Sequence, residues 1–231
     1  YELRKSSSHW SVFQQSTFAP DLDGRWMGSL TINSKGQIAL AYSSSGGGKF
    51  ASLYFTGRNA DHPPGLMIYD EAVLQQGTAY GTFSNRWGDY SDMSTDITND
   101  SLFWFTGMYG ATNWKTKISS FKLQALPAVD AKLYAIVTPE PGYAQCSTAI
   151  TPAVTLRNSG TETLTSLTLY TQLNNGPKSN PINWTGSLPL GNLQTLTLPP
   201  IEAAKGVNYL KIFITQPNGK ADENNVNDTL S

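Results

Sequence analysis

Short runs in which apolar and polar residues alternate are the feature that most constrains how this chain folds. Clusters of Gly, Asn, Asp and Ser separate these runs, and helical periodicity is almost absent. Alternation with a period of two is typical of strands that bury one face. We therefore predict an all-β fold, in which only residues 70–76 tolerate a helical turn. The runs behind this prediction are Leu30/Ile32, Ile38/Leu40/Tyr42, Leu53/Phe55, Phe103/Phe105 and Ile118 with Phe121/Leu123.

A change of composition near Pro127 divides the chain into two predicted domains. Five of the six Trp residues lie before this proline, whereas Thr, Leu, Asn and Pro dominate after it. We predict a first domain at residues 1–127 and a second at residues 128–231. Neither domain contains a run near the ~18 apolar residues that a transmembrane helix needs.

The second domain has the size of one immunoglobulin-like sandwich, about 100 residues. Its predicted strands are residues 131–138, 153–158, 164–173, 180–184, 193–198 and 207–216. Asn175-Gly176 lies between two of these strands and Asn218-Gly219 follows the last. Asn-Gly adopts positive φ at low cost and so favours tight turns. We predict an Ig-like β-sandwich.

The first domain contains a partial repeat. Arg25-Trp26 recurs as Arg86-Trp87, 61 residues later, and a strand-like pair follows each copy. YFTG at residues 54–57 also echoes WFTG at residues 104–107, but at a different offset. A repeated multi-stranded unit of this size is typical of propeller blades. We predict an incomplete propeller within a longer protein, with a shared structural role for the two arginines.

Both domains resemble parts of large secreted bacterial proteins. GRWMGS at residues 24–29 and RWGDY at residues 86–90 resemble the last blades of a propeller-like region. TPAV at residues 151–154, RNSG at residues 157–160 and DENN at residues 222–225 are similar to the CARDB family of bacterial adhesion-related Ig-like domains. The resemblance implies a spacer or binding module on an exported protein of Bacteroidetes-type bacteria, located extracellularly or at the cell surface.

Composition and motifs argue against catalysis and nucleic-acid binding. The formal net charge is −1, and the 16 Lys and Arg residues form no basic patch along the sequence. Neither histidine, His9 or His62, lies in a hydrolase or zinc-protease motif, and we expect both in exposed loops. The single Cys146 excludes an internal disulfide, and we expect it to be buried.

An acidic cluster is the candidate metal site. Asp89, Asp92, Asp96 and Asp100 place hard oxygen ligands at close spacing, which suits calcium. Their spacing does not match an EF-hand loop. The alternative is that these carboxylates cap turns between blade strands. A carboxylate pair for glycoside hydrolysis is a further alternative.

Aromatic residues of the first domain are the candidate ligand-binding site. Exposed Trp and Tyr rings beside Asn and Asp are typical of sugar-binding surfaces. The alternative is that the rings fill the space between blades. The candidates are Trp26, Trp87, Asp89, Tyr90, Trp104 and Trp114, with Tyr109 beside them.

These patterns together favour a non-catalytic extracellular module for adhesion, binding or structural support. Its expected partners are other parts of a long chain, surface proteins or glycans, and no cofactor other than calcium is expected. The alternatives are an accessory C-terminal region of a secreted peptidase or glycosidase, and a carbohydrate-binding module. A propeller of two blades and a fraction exposes unpaired faces, so we predict that residues 1–126 either pair with other segments or aggregate.

Overall fold

The computed structural model describes residues 1–80, 86–140, 142–143 and 147–231. The chain forms two compact units, Tyr1–Gln124 and Ala125–Ser231. Within the described residues, every regular element is a strand except two short 3-10 helices, so the predicted all-β class is confirmed. The same residues include no helix that is long and apolar enough to span a membrane. The expected burial of Cys146 falls outside the described residues.

Unit 1 contains three antiparallel sheets. β1 and β2 form a separate hairpin, β3 to β6 form the first sheet, and β7 to β9 form the second sheet, each in sequence order. The strands are β1 Glu2–Ser6, β2 His9–Gln14, β3 Gly24–Ile32, β4 Ile38–Gly46, β5 Lys49–Arg58, β6 Ala72–Gln75, β7 Asp92–Thr95, β8 Phe103–Tyr109 and β9 Lys115–Phe121.

Alternation along these strands gives each sheet an inner face and an outer face. The inner faces of the first and second sheets share one apolar core, in which the rings of Phe55 and Phe121 lie 3.9 Å apart. Ser43 on β4 donates its hydroxyl to the carbonyl of Met108 on β8 at 3.1 Å. The buried core residues are Ala39, Ala41, Leu53, Met93, Phe103, Phe105 and Phe121.

The helical turn that the sequence tolerates at residues 70–76 does not form. Residues Ala72–Gln75 instead make β6, which pairs antiparallel with β5. Leu74 packs against the apolar core of unit 1. Burial against the sheet therefore overrides local preference in this segment.

Unit 2 contains two larger antiparallel sheets and a small one. The orders are β10-β12-β15, β14-β13-β17-β18 and β11-β16. The elements are β10 Ala131–Thr138, β11 Ala149–Ile150, β12 Ala153–Asn158, β13 Leu164–Leu173, β14 Ile182–Leu188, β15 Leu193–Thr197, β16 Ile201–Glu202, β17 Leu210–Thr215, β18 Thr229–Leu230, η1 Pro217–Gly219 and η2 Asn225–Asn227.

One core joins the two larger sheets of unit 2 into a sandwich-like body. β10 and β12 contribute Leu133 and Leu156, and β13 and β17 contribute Leu169 and Ile212, all almost fully buried. The predicted bounds of β10, β12 and β13 are confirmed at both ends. The predicted strand at residues 180–184 is shifted, because β14 runs from residue 182 to residue 188.

Residues 222–230, at the C-terminal end of unit 2, are hydrogen-bonded to the start of the same unit. The carboxylate of Asp222 accepts the backbone N–H of Ala131 at 2.9 Å. Asp130 accepts the side-chain amides of Asn224 and Asn227 at 3.3 and 3.0 Å. The carbonyl of Asp228 accepts the backbone N–H of Ile214 on β17 at 3.0 Å. Residues 222–230 thus link the beginning of β10 to β17.

Candidate functional site

The two tryptophans of the Arg-Trp repeat meet in unit 1. The rings of Trp26 and Trp87 lie 5.5 Å apart in an edge-to-face arrangement. Trp87 Nε1 donates to the Ser43 hydroxyl at 3.3 Å. Both rings are partly buried, and Tyr109 packs against the core of unit 1. These three candidates therefore follow the packing alternative.

The two arginines of the repeat have different environments, so the predicted shared role is wrong. Arg25 binds both carboxylate oxygens of Glu71, through Nε at 2.8 Å and Nη2 at 2.6 Å. Its side chain is only 10% exposed. Arg86 is 75% exposed and pairs with Asp89, the residue of the predicted site that lies three positions later.

Arg25 is part of a polar cluster that sequence spacing does not reveal. Asp21 Oδ1 accepts from Arg25 Nη1 at 2.7 Å, and the Tyr42 hydroxyl donates to Glu71 Oε1 at 2.5 Å. Burial, and then the hydrogen bond to Glu71, raise the pKa of Tyr42. The hydrogen bond to Glu71 raises the pKa of Arg25. The cluster ties the chain just before β6 to β3 and β4.

Asp96 and Asp100 make the hydrogen bonds that the turn-capping alternative predicts. Asp96 Oδ1 accepts from the Thr98 hydroxyl and from the backbone N–H groups of Thr98 and Asn99. Asp100 accepts from the backbone N–H and the hydroxyl of Ser34, which ties the β7–β8 loop to the β3–β4 turn. Hydrogen bonds with Thr98 and Ser34, respectively, lower the pKa of the two carboxyls.

Calcium binding stays a prediction. Asp89 pairs with Arg86 and Asp92 is exposed on β7, while Asp96 and Asp100 are engaged by turn donors. Within the described ranges, no group of three or more His, Cys, Asp or Glu side chains is placed to hold a metal ion.

The outer face of the second sheet carries an exposed tryptophan among hydroxyl groups. Trp104 on β8 is 38% exposed, whereas its strand neighbours Phe103 and Phe105 are buried on the inner face. Ser94 on β7 and Ser120 on β9 lie directly opposite Trp104. Directly opposite residues share one face of an antiparallel sheet, so these hydroxyls flank the indole.

Neighbouring positions extend this face. Asp92 and Ile118 both lie opposite Thr106, two residues along β8 from Trp104. Asp96 Oδ2 accepts from Trp104 Nε1 at 2.9 Å and so holds the indole from its edge. We name the outer-face set Asp92, Ser94, Trp104, Thr106, Ile118 and Ser120 the Trp104 face.

The Trp104 face combines the groups that a sugar needs. An indole packs on the apolar face of a pyranose ring, side-chain hydroxyls donate hydrogen bonds to the sugar hydroxyls and accept from them, and a carboxylate accepts from them. Because the sheet fixes the backbone and Asp96 fixes the ring, little side-chain freedom is lost on binding. The serines and Thr106 were absent from the predicted site; period-two alternation from Trp104 indicates Thr106, whereas Ser94 and Ser120 join the face through strand pairing.

Two other predicted aromatics are exposed outside the strands. Tyr90 is 91% exposed before β7, and Trp114 is 65% exposed before β9. Together with Trp104, they are the candidates of the predicted site whose rings are open to a ligand.

The histidines take unequal positions. His9 begins β2 and is exposed. His62 is 4% exposed, so the expectation of an exposed residue is wrong for it. Its Nδ1 accepts the backbone N–H of Asn59 at 3.1 Å, and burial lowers its pKa. His62 thus caps a turn.

Unit 2 has a cavity of about 1140 Å³ at one end of the sandwich-like body. Ile136, Ile150, Leu173 and Ile201 give it an apolar lining, and Tyr143 and Tyr209 at its border are exposed. None of the predicted site residues lines this cavity.

No protein-family model matches the chain, and no curated protein matches it in sequence.

Proposed function

We propose that this protein is a non-catalytic, extracellular glycan-binding module. The observation that carries the proposal is the Trp104 face, where an exposed indole, held by Asp96, stands between Ser94 and Ser120 on a rigid sheet. The low proportion of charged residues, 14%, also suits recognition of neutral sugars through hydroxyls and aromatic rings.

The environments of the histidines support a binding role over a catalytic one. The His62 ring is buried and its Nδ1 is taken by a backbone donor. His9 lies on the exposed hairpin, where its Nδ1 is 3.0 Å from the Ser8 hydroxyl of the tight turn. Neither histidine is placed beside a carboxylate by the hydrogen bonds described for it, as a triad would require.

In this proposal unit 1 is a pair of propeller-like blades and unit 2 is an Ig-like, CARDB-type spacer. The face-to-face packing of the first and second sheets and the contact between Trp26 and Trp87 support the blade interpretation. The shared core of the two larger sheets in unit 2 supports the sandwich interpretation. Such a module would present the Trp104 face on an exported surface protein of Bacteroidetes-type bacteria.

A glycan array probed with the full 231-residue chain tests the proposal. We expect binding to a defined set of glycans, and Trp104→Ala should weaken it about 5- to 150-fold, because stacking of a base on one aromatic ring is worth about 1–3 kcal/mol and we expect a similar value for a sugar ring. Tyr90→Ala is the comparison variant: Tyr90 is a candidate ring outside the sheet, and its removal should leave binding unchanged if the Trp104 face holds the glycan. The assay is run with and without calcium.

A blank array in both conditions would overturn the glycan proposal and favour a spacer or an accessory region of a secreted hydrolase. Binding that Tyr90→Ala removes and Trp104→Ala spares would place the ligand elsewhere on unit 1. Binding that requires calcium would support the predicted metal site at Asp89, Asp92, Asp96 and Asp100.

A further inference from the structure

The outer face of the first sheet is covered over β5 and exposed to solvent over β3. Leu40 lies opposite both Leu30 and Thr56, so these three residues share the outer face. Thr56 is fully buried there, and its hydroxyl donates to the Tyr69 carbonyl at 2.6 Å. Leu30 and Ile32 on β3 are each 55% exposed. The loop after β5 thus covers β5 but leaves β3 open.

The hairpin carries a second open apolar surface. Leu3 lies opposite Val12, and Lys5 lies opposite Trp10, so alternation puts Leu3, Trp10 and Val12 on one face of the ribbon, with Lys5 beside Trp10. These three side chains are 57%, 66% and 53% exposed. Within the described residues, β1 and β2 pair only with each other. An isolated two-stranded ribbon is at best marginally stable in water.

The hairpin is attached to the sheet that carries the other open surface. Gln14 ends β2, and its Oε1 accepts from Arg58 Nη1 at 2.8 Å and from the Gly65 backbone N–H at 2.6 Å. Arg58 lies opposite Ile38, which in turn lies opposite Ile32. The base of the hairpin is therefore attached to the outer face of the first sheet, in the same row as Ile32.

We infer that two copies of this chain associate through these surfaces, with the hairpin of each copy packed on Leu30 and Ile32 of its partner. In a two-fold pair each contact occurs twice, and residue i meets residue j in both directions. Two apolar patches on connected elements of one molecule suit such a pair, because one two-fold rotation brings each patch onto the other patch of the partner. A different protein would have to present two matching patches at the same spacing.

The available area is sufficient for such a pair. A half-exposed large side chain leaves on the order of 100 Å² accessible, so the five side chains give roughly 500 Å² per copy and about 1,000 Å² per pair. A specific interface needs about that much total area. The outer face of the second sheet does not compete, because Asp92, Ser94 and Ser120 make it polar.

Sedimentation velocity of the full chain, from low micromolar to several hundred micromolar, tests the inference. We expect a monomer–dimer equilibrium, and the double variant Leu30→Ser/Ile32→Ser should raise the dimer dissociation constant at least tenfold. Trp10→Ser should have the same effect through the hairpin. Ile118→Ser is the matched control, because Ile118 is 69% exposed on the second sheet, and it should leave the equilibrium unchanged.

A monomer at every concentration would overturn the inference and leave the patches to a different protein. A dimer that Ile118→Ser disrupts and Leu30→Ser/Ile32→Ser spares would overturn it as well. The thermal transition of each variant shows whether it is folded, since all substituted side chains are more than half exposed in the wild type.

Cysteine crosslinking separates a reciprocal pair from other dimers. Trp10→Cys and Ile32→Cys are made in separate chains that also carry Cys146→Ser, and the two proteins are mixed under oxidising conditions. We expect a disulfide-linked heterodimer, which can form only between chains. Crosslinking no more efficient than that of Trp10→Cys mixed with Ser120→Cys would contradict the hairpin-to-sheet contact.

Discussion

Arg25 and Arg86 begin the same Arg-Trp dipeptide, but their charged side chains differ in solvent exposure. Arg25 is nearly buried, with Glu71 bound at both carboxylate oxygens, whereas Arg86 and Asp89 form an exposed pair. Removing the charge of Glu71 leaves the nearly buried Arg25 with only the half-exposed carboxylate of Asp21, which compensates it poorly in a low-dielectric environment. Charge removed from an exposed pair is compensated by water.

The first prediction compares the two pairs by removing one carboxylate from each. Glu71→Gln should lower the free energy of unfolding of unit 1 by about 3 kcal/mol. Asp89→Asn, the control, should lower it by less than about 1 kcal/mol. Urea unfolding followed by Trp fluorescence reports unit 1, because five of the six Trp residues lie in it. Equal effects of the two substitutions would mean that the Arg25 cluster is no more stabilising than a surface pair.

The Arg25 cluster could not be predicted from the sequence, whereas several strands of unit 2 could. Glu71 lies 46 residues from Arg25, and no spacing rule connects them. β10, β12 and β13 bury alternate side chains, and period-two alternation located their ends. Trp104 was among the predicted candidate ligand-binding rings, but Ser94 and Ser120 became part of its face only through strand pairing.

At the scale of elements, the recurrence of Phe-Thr-Gly at residues 55–57 and 105–107 has a packing explanation. Gly57 on β5 and Gly107 on β8 each lie where a side chain has no room. A Cβ on Gly57 would lie 2.7 Å from the carbonyl oxygen of Ile38 on β4. A Cβ on Gly107 would lie 2.8 Å from the Phe105 ring and 3.1 Å from Leu53 on the first sheet. The two glycines thus permit close approach within and between the sheets.

The element-scale prediction is that Gly57→Ala destabilises unit 1 by about 1–3 kcal/mol, the usual range for overpacking. The clash is with backbone, so relief requires β4 and β5 to separate. Gly28→Ala is the control, because its Cβ would meet nothing closer than 3.6 Å, and it should be neutral or slightly stabilising. The urea midpoints of the two variants and the wild type, measured under the same conditions, test this difference in stability. A neutral Gly57→Ala would show that the strands shift without cost.

At the scale of the whole chain, the carboxyl groups of Asp130 and Asp222 join the last residues of unit 2 to its first strand by hydrogen bonds. Burial, and then the neighbouring charge of Asp222, raise the pKa of Asp228 to about 7, and Asp130 adds a smaller contribution. Asp228 Oδ1 is buried and accepts no hydrogen bond from the described residues. The folded state therefore favours the protonated carboxyl, which can donate to Asp222.

This raised pKa predicts that unit 2 loses stability as the pH rises toward neutrality. The unfolded chain titrates Asp228 near its ordinary value of 3.8 and the folded chain near 7, so the folded chain binds more protons between these values. Stability from this group is fully present below the unfolded pKa and is lost as the pH rises through the folded pKa.

Asp228→Asn mimics the protonated carboxyl and removes this dependence of stability on pH. Thermal melting should give a higher transition temperature for Asp228→Asn than for the wild type at both pH values, by a small margin at about pH 5 and by several degrees more at about pH 8. Glu162→Gln, which alters an exposed pair with Lys220, should shift little at either pH. If the wild type and Asp228→Asn keep the same difference at both pH values, Asp228 is ionised throughout and the closure of residues 222–230 does not depend on a shared proton.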